Sequence, residues 1–333
     1  MSLIKVALVG AGGMGNVHST AYSGISNAAV ISVVDICRDK AEKIACSHGA
    51  AVYDSIDEML EKEKPDMVDI CTPTYLHPEM AIKALANKAH VLCEKPMALN
   101  TGDAKHMLET ARENGMLLMV GQVLRFWPEY IYLKQVFDNG TYGKLKQIAF
   151  SRVGQRPKWS WENWMMSVEK SGRAPLDLHI HDTDFIVHML GKPKAVKSCS
   201  IEEGSVISYI FTQYLYDNRI VTAEGAWYDQ ALPFSMSYRA SFEKAVLDYR
   251  DDKLVLYPEE GEILTIHSDE IEKVSTGINV SSVGAYESEI QYFINCIKNG
   301  AQPTVASPVS TLDCLDVVLK EIESAKTDQT LYF

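Results

Sequence analysis

Residues 3–15 read Leu-Ile-Lys-Val-Ala-Leu-Val-Gly-Ala-Gly-Gly-Met-Gly, and this stretch decides the fold of the first part of the chain. Leu3 to Val9 is an apolar run broken by one lysine, which predicts a buried strand of a parallel sheet. The turn that follows fits G-x-G-x-x-G and leads into a predicted helix at 16–22, so it predicts a dinucleotide site. The first glycine permits the tight turn, the second lets backbone approach a pyrophosphate, and the third lets the helix pack on the strand. The predicted cofactor residues here are Gly10, Gly12, Gly13, Met14 and Gly15.

Asp35 ends the second predicted strand, Val30 to Val34, about 20 residues beyond the glycines. A carboxylate at this place accepts hydrogen bonds from both ribose hydroxyls of the adenosine and repels a 2′-phosphate, so NAD is favoured over NADP. Arg38 lies close behind it and offsets part of that negative charge, which keeps NADP as an alternative. The competing interpretation of Asp35 is a cap for the next helix.

Apolar strands alternate with helical segments as far as Val120, which predicts a doubly wound parallel sheet in a Rossmann domain over residues 1–121. One of these strands leads into Thr-Pro-Thr-Tyr-Leu-His at 72–77. The next leads into Glu-Lys-Pro at 94–96, where the proline ends the strand because it has no backbone N–H. Ligands bind at the carboxyl edge of such a sheet, so Lys95 is predicted to lie on the ligand edge.

The pattern changes after residue 121. A strand is predicted at Leu145 to Val153, and apolar alternation punctuated by turns runs from Gly204 into the 260s. This predicts a C-terminal α+β domain over 122–333 with a large open, mostly antiparallel sheet. Two amphipathic helices close the chain and are expected to pack back toward the first domain.

A polar stripe is predicted on the segment Arg173 to Leu190, if that segment is helical. Asp177, His181, Asp184 and His188 are separated by 4, 3 and 4 residues, so they share one helix face. The stripe is either a solvated face, a metal site or an active-site face. His179 and His181 point to different sides of a helix and no third ligand is visible, so no metal is predicted.

Aromatic and cationic residues cluster between residues 152 and 164. Tryptophan faces stack on the C–H faces of sugars and cyclitols, while guanidinium groups grip a carboxylate or phosphate. The candidate substrate residues in this cluster are Arg152, Arg156, Trp161 and Trp164. The alternative is a surface or subunit-contact loop that the tryptophans anchor.

Composition restricts the class of protein. The formal net charge of −12 without a long basic run argues against general nucleic-acid binding. No run of 18 apolar residues and no signal-peptide layout is present in the sequence, so we expect no membrane partner. Seven scattered cysteines suit reduced thiols, which predicts a cytoplasmic protein.

Together, these motifs resemble the Gfo/Idh/MocA family of NAD(P)-dependent oxidoreductases. The resemblance rests on G-x-G-x-x-G, T-P-x-x-x-H at 72–77, E-K-P at 94–96 and D-x-x-x-H-D beginning at Asp177. It implies that the Lys–Pro peptide is often cis, that Lys95 is catalytic, and that Asp177 and His181 face the nicotinamide. It also implies a set of cofactor residues at the strand ends: Thr72, Pro73, His77, Glu94, Lys95, Gln122 and Arg125. The family carries a segment of the form G-x-x-x-R-F-x-P after the sixth strand, here residues 121–128, and this chain departs from many relatives at Val123 and Leu124. The alternative for Arg125 is a structural salt bridge.

These features predict an NAD-dependent oxidoreductase that moves hydride between a secondary alcohol of a sugar, inositol or related polyol and nicotinamide. In this reaction His181 serves as the base, Asp177 orients the hydroxyl or the imidazole, and Lys95 stabilises the alkoxide. The same three residues are also predicted to contact the substrate. The alternatives are an NADP-dependent reductase of another carbonyl compound and a non-catalytic dinucleotide sensor. The broad second sheet predicts a homodimer or homotetramer formed through it.

Overall fold

The structure, a computed structural model, describes residues 3–203, 206–267 and 284–333. By contacts, the described residues form two compact units, one of 3–126 with 284–312 and one of 127–203, 206–267 and 313–333. The predicted division into 1–121 and 122–333 follows chain order, whereas contacts group the helix Gly284–Asn299 with the first unit. Gly204, where the alternating pattern was predicted to begin, lies outside the described residues.

The helices, in chain order, are α1 (Gly13–Tyr22), α2 (Arg38–His48), α3 (Ile56–Glu63), α4 (His77–Ala86), α5 (Thr101–Asn114), α6 (Pro128–Asn139), α7 (Val168–Ser171), α8 (Ile180–Leu190), α9 (Gly284–Asn299) and α10 (Pro308–Thr327). Shorter 3₁₀ turns occupy Thr74–Leu76, Val123–Phe126 and Trp161–Met166, and a π-helical turn occupies Pro175–His179. Of the described helices, none has the length and apolar character needed to cross a bilayer.

The first unit is built on a six-stranded sheet whose strands all run parallel. Its strands are β1 (Ile4–Val9), β2 (Ala28–Val34), β3 (Ala51–Tyr53), β4 (Met67–Ile70), β5 (His90–Glu94) and β6 (Leu118–Gly121), in the order β3-β2-β1-β4-β5-β6. The central strands are buried on both faces, as expected for a parallel sheet that helices cover. This confirms the predicted doubly wound Rossmann sheet.

The strand register of this sheet decides which residues meet at its carboxyl edge. Paired residues at that edge are Val9 with Val34, Val9 with Ile70, Ile70 with Cys93, and Glu94 with Gly121. The residues that follow these strand ends therefore emerge side by side. They are the glycine turn, Asp35, Thr72, Lys95 and Gln122, and the register thus brings the predicted cofactor segments of this unit together.

The second unit is built on a nine-stranded sheet. Its strands are β7 (Leu145–Gln155), β8 (Ala195–Glu203), β9 (Val206–Tyr216), β10 (Arg219–Tyr228), β11 (Ser235–Phe242), β12 (Ala245–Arg250), β13 (Lys253–Pro258), β14 (Leu264–Ile266) and β15 (Leu331–Tyr332). The order is β14-β13-β12-β11-β7-β10-β9-β8-β15, and β7 with β10 is the one parallel pair in the described sheet. The predicted mostly antiparallel sheet is confirmed.

Aromatic packing fixes the core of the second unit. Tyr130 of α6 lies edge-on to Phe185 of α8, with ring centroids 4.9 Å apart, and edge-on to Tyr238 of β11 at 5.2 Å. Such edge-to-face pairs add about 0.5–1.5 kcal/mol each beyond their buried area. One face of the sheet is therefore anchored to α6 and α8.

Candidate active site

The glycine turn has the geometry that its sequence predicts. Gly10 has φ +102°, and a Cβ there would lie 2.7 Å from the carbonyl of Cys71. A Cβ on Gly15 would lie 1.9 Å from the Gly10 oxygen, so β1 and α1 approach too closely for any side chain. A Cβ on Gly12 would meet nothing within 4 Å. The turn therefore has an open side over Gly12, where a phosphate group can reach the backbone.

Asp35 is held against this turn. Its carboxylate accepts a hydrogen bond from the Ala11 N–H at 2.7 Å and another from the Cys37 N–H at 2.7 Å. The second bond lies at the start of α2, so Asp35 also performs part of the capping role that was the alternative. Arg38 is exposed and paired with Glu42 and Asp54.

A pocket of about 290 Å³ lies beside the turn. It is lined by Ala11, Gly12, Gly13, Asn16, Lys40 and Lys43. The Asn16 amide donates to the Gly12 carbonyl at 2.7 Å and stiffens the turn. Two ammonium groups at this pocket suit the negative charge of a dinucleotide.

Two buried polar side chains at the strand ends fit a cofactor. Thr72 Oγ1 follows β4, and the amide nitrogen and oxygen of Gln122 follow β6. Among the described residues these three atoms have no hydrogen-bond partner. Because buried polar groups are normally paired, a ligand with donors and acceptors, such as a nicotinamide riboside, matches them. The residues present thus fit NAD.

His77 ties together the two loops on this side of the edge. The Lys95–Pro96 peptide is cis. One ring nitrogen of His77 lies 2.8 Å from the Pro96 carbonyl oxygen and the other 2.9 Å from that of Thr72. Burial lowers the pKa of His77. The side chain therefore fastens the Lys95 loop to the segment at 72–77.

Glu94 is also engaged by protein. Its Oε1 lies 3.0 Å from Nε2 of the buried His18, and its Oε2 accepts the Lys95 N–H at 3.1 Å. Nδ1 of His18 lies 2.8 Å from an Asp69 carboxylate oxygen. His18, Asp69 and Cys71 are the one group of three potential metal ligands in the described residues, but hydrogen bonds already satisfy His18 and Asp69, so we assign no metal there.

In the second unit, Asp177 and His181 lie on and just after the π-helical turn that precedes α8. Both are half-exposed, whereas Asp184 of the predicted stripe is buried. The predicted single helix from Arg173 is thus interrupted by a wider turn, a feature frequent at functional sites. Asp177 and His181 are thus a partly exposed carboxylate and a partly exposed imidazole in an otherwise largely buried segment.

His179 points into the core of the second unit instead. Its Nε2 lies 2.8 Å from Glu321 of α10 and 3.2 Å from the Tyr214 hydroxyl. A Cβ on Gly225 would lie 2.8 Å from the His179 Cβ, so the glycine of β10 makes room for this ring. His179 therefore anchors the turn that carries Asp177 and His181.

The predicted substrate cluster at 152–164 is divided by the structure. Arg152 is buried and donates two hydrogen bonds to Asp182, at 2.9 and 3.1 Å, which favours a structural role. Arg156 donates to Ser208 and pairs with Asp229. Trp161 is 44% exposed, whereas Trp164 packs on the buried cluster of Met165, Ala174, Leu178 and Trp227.

Arg125 belongs to the first unit and donates to the Val305 carbonyl and to Ser310, at 2.9 and 2.8 Å. Both partners are neutral, so these bonds favour a structural role without being the salt bridge that was the alternative. Sequence reasoning missed Asn16, His18, Lys40 and Lys43. His18 shares one face of α1 with Gly15 and Tyr22, which indicates a buried position but not which residues it contacts.

Comparison with known proteins supplies the family. The family model described as "Oxidoreductase family, NAD-binding Rossmann fold" matches residues 4–122. The family model described as "GFO/IDH/MocA C-terminal domain" matches residues 130–232. The 2,7-anhydro-N-acetylneuraminate hydratase of Escherichia coli (strain K12) is 32% identical over 190 residues, 57% of this chain and 50% of that protein. Inositol 2-dehydrogenase of Rhizobium meliloti (strain 1021) is 27% identical over 335 residues, 96% of this chain and 97% of that protein.

At about 30% identity the chain spans about half the length of the curated relatives it matches. A levoglucosan dehydrogenase solved with NADH and levoglucosan shares the fold, with a TM-score of 0.88 over 99% of both chains at 18% identity. The first matched region contains the six-stranded sheet with its motifs, and the second contains β7 to β10 and the segment from Asp177 to Asp182. The chain belongs to the Gfo/Idh/MocA family of oxidoreductases, whose N-terminal domain is an NAD-binding Rossmann fold.

Proposed function

We propose that this protein is an NAD-dependent dehydrogenase that oxidises a secondary alcohol of a sugar, inositol or related polyol. The observation that carries the proposal is the placement of Lys95. It follows β5 at the carboxyl edge of the dinucleotide-binding sheet, and Glu94 and His77 hold its loop from two sides. An ammonium fixed at such an edge suits a developing alkoxide.

Bound NAD supplies the hydride acceptor in this proposal. Lys95 stabilises the negative charge on the substrate oxygen, His181 takes the hydroxyl proton, and Asp177 orients the hydroxyl or the imidazole. An imidazole suits the base because it titrates near neutral pH. Acid–base help of this kind contributes about 10²–10⁴-fold in rate.

The substrate class is supported by relatives and by one exposed aromatic ring. The curated relatives include an inositol 2-dehydrogenase and a D-glucoside 3-dehydrogenase. The exposed Trp161 offers a face for the C–H surface of a polyol, whereas Arg156 is paired with Asp229. Arg152 is left out of the proposed substrate contacts because Asp182 engages it.

The test is NADH formation across a panel of sugars, cyclitols and their acids, with NAD and NADP run side by side. We expect turnover with at least one polyol and a preference for NAD. Absence of NADH formation across the panel, in protein shown to bind NADH, contradicts the proposal and favours the alternative of a dinucleotide sensor.

A second candidate is a net hydration or elimination on a sugar derivative, with no net change of NAD. Similarity to the hydratase at 32% identity favours it. Product analysis separates the two, because this activity consumes substrate while NADH does not accumulate.

We also infer a homodimer or homotetramer through the outer face of the second sheet. Ile201, Phe211 and Ile220 lie on that face of β8, β9 and β10 and are exposed. Several exposed apolar residues on one sheet face are typical of an interface. A monomer by light scattering at micromolar concentration contradicts this inference.

The seven cysteines are all free, which supports a cytoplasmic location.

A further inference from the structure

A buried cluster of charged groups lies beneath the carboxyl edge of the first sheet. Helix α1 directs His18 and Tyr22, one turn apart, toward Asp69 of β4. The Tyr22 hydroxyl donates to Asp69 Oδ2 at 2.9 Å, and His18 Nδ1 lies 2.8 Å from the same oxygen. His18 and Asp69 are both fully buried.

The other ring nitrogen of His18 carries the network to Lys95. Nε2 of His18 lies 3.0 Å from Glu94 Oε1, and the other Glu94 oxygen accepts the Lys95 N–H. Three hydrogen bonds in series thus join Asp69 to the backbone of Lys95. A Cβ on Gly121 would lie 3.2 Å from Glu94 Oε1, so the glycine of β6 keeps this path open.

The geometry calls for a protonated imidazole. A neutral histidine donates from one nitrogen, whereas both nitrogens of His18 face carboxylates. The buried carboxylates of Asp69 and Glu94 lie 2.8 and 3.0 Å from the two ring nitrogens of His18. They repel each other unless a cation lies between them. Burial by itself lowers the pKa of His18, but Asp69 and Cys71 together outweigh it, and the pKa is raised well above its usual value. Burial by itself raises the pKa of Glu94, but His18 and Lys95 lower it.

We propose that His18 is a positioning residue for Lys95: it holds the Glu94 carboxylate, and through it the Lys95 backbone, in the arrangement that the reaction requires. The inference rests on the proposed function, because it gives His18 a part in the reaction that Lys95 serves. His18 is fully buried, so it acts through Glu94 and not by touching a ligand. Without His18, Glu94 Oε1 loses its partner, and the carboxylate no longer holds the Lys95 N–H in place.

The first test measures hydride transfer in a single turnover at saturating NAD and substrate, using folded protein quantified by circular dichroism. For His18→Gln we expect the rate to fall about 10²-fold, the loss that a misplacement of about 1 Å produces, with the Kd for NADH within about twofold. His48→Gln is the matched control, because the hydrogen bond of His48 in the described part of the chain is to the Ser19 hydroxyl. We expect it to keep the wild-type rate. A normal rate in His18→Gln overturns the proposal.

A double-mutant cycle separates positioning from general damage to the fold. If His18 acts through Lys95, then His18→Gln has little further effect once Lys95→Ala is present. Effects that multiply overturn the proposal. If His18→Gln does not fold, Glu94→Gln tests the same link, because it removes the charge that His18 holds. We expect the same fall in rate, and an unchanged rate overturns the proposal.

The second test needs no turnover. Hydrogen exchange followed by mass spectrometry reports the Lys95 amide in a peptide that covers 91–98. We expect that amide to exchange about tenfold faster in His18→Gln, with exchange over β1 unchanged. Equal exchange at Lys95, or faster exchange over the whole unit, overturns the proposal. If the wild-type protein oxidises no polyol, the proposed function fails, and this measurement still decides the link from His18 to Lys95.

Discussion

His18 in the first unit and His179 in the second are both fully buried beneath a functional segment, but their neighbours differ. His18 uses both ring nitrogens and bridges Asp69 to Glu94. His179 uses Nε2, which faces Glu321 and the Tyr214 hydroxyl, and among the described residues its Nδ1 has no hydrogen-bond partner.

The surroundings of the two carboxylates differ in the same way. Glu321 accepts hydrogen bonds from Thr183 at 3.1 Å and from Thr212 at 3.3 Å, so hydroxyls share the work with His179. Glu94 has a histidine on one oxygen and a backbone N–H on the other. The comparison teaches that Glu94 depends on one histidine and one backbone N–H, whereas hydroxyls share Glu321 with His179 beneath the π-helical turn.

The largest expected effects come from Lys95 and His181, the proposed catalytic residues above His18 and His179. We expect Lys95→Ala and His181→Ala each to lower kcat about 10²–10⁴-fold, because each removes a charge or proton acceptor from the reaction. The affinity for NADH, measured by fluorescence, should change little in either variant. Full turnover by a correctly folded double variant contradicts both assignments.

Breaking the anchor in the second unit should act on stability. We expect Glu321→Ala to lower the free energy of unfolding by about 3–5 kcal/mol, because it leaves His179 buried without its carboxylate. Urea unfolding measures the change. Glu323→Ala on the exposed face of the same helix is the control and should have little effect. A loss below about 1 kcal/mol for Glu321→Ala would show that the hydroxyls alone suffice.

The stability of the protein should depend on pH through His18 and Glu94. The folded-state pKa of His18 is raised, so its stabilisation is full below its ordinary value of 6.5 and is lost as pH rises through the folded-state pKa. The pKa of Glu94 is lowered, so its stabilisation is present above 4.5 and is lost as pH falls through its folded-state pKa.

The difference in unfolding free energy between the wild type and His18→Gln should therefore be largest between those two folded-state values and shrink on both sides. The ionisable groups that lie around His18 are Tyr22, Asp69, Cys71 and Glu94. Urea unfolding across pH gives the curve. A difference that is flat over the whole range would mean that His18 carries no charge in the folded protein.

The same contrast explains what the sequence could predict. The glycine turn, Asp35 and Lys95 were predictable because each depends on local chain geometry and on strand order, and parallel strands bring their carboxyl ends to one edge. His18 was not, because its partners lie 51 and 76 residues away and are brought to it by the sheet register. Spacing placed Asp177 and His181 on one predicted stripe, and the family resemblance singled them out as site residues. The π-helical turn that presents them packs through His179 on Glu321 and Gly225, which are remote in sequence.

The smallest expected effects come from one hydroxyl in each network. Tyr22→Phe removes a hydrogen bond to the Asp69 carboxylate, whereas Tyr214→Phe removes the hydroxyl that faces Thr183 and His179. Hydrogen bonds to a charged group contribute about 1.5–3 kcal/mol. Tyr22 is one of two partners of Asp69 Oδ2, whereas Glu321 beside Tyr214 keeps three other partners, so Tyr22→Phe should destabilise the protein more. Urea unfolding of the two variants under one set of conditions measures the order. The reverse order would mean that the hydroxyl network of the second unit is the stronger anchor, and that the charge on His18 already satisfies Asp69 without Tyr22.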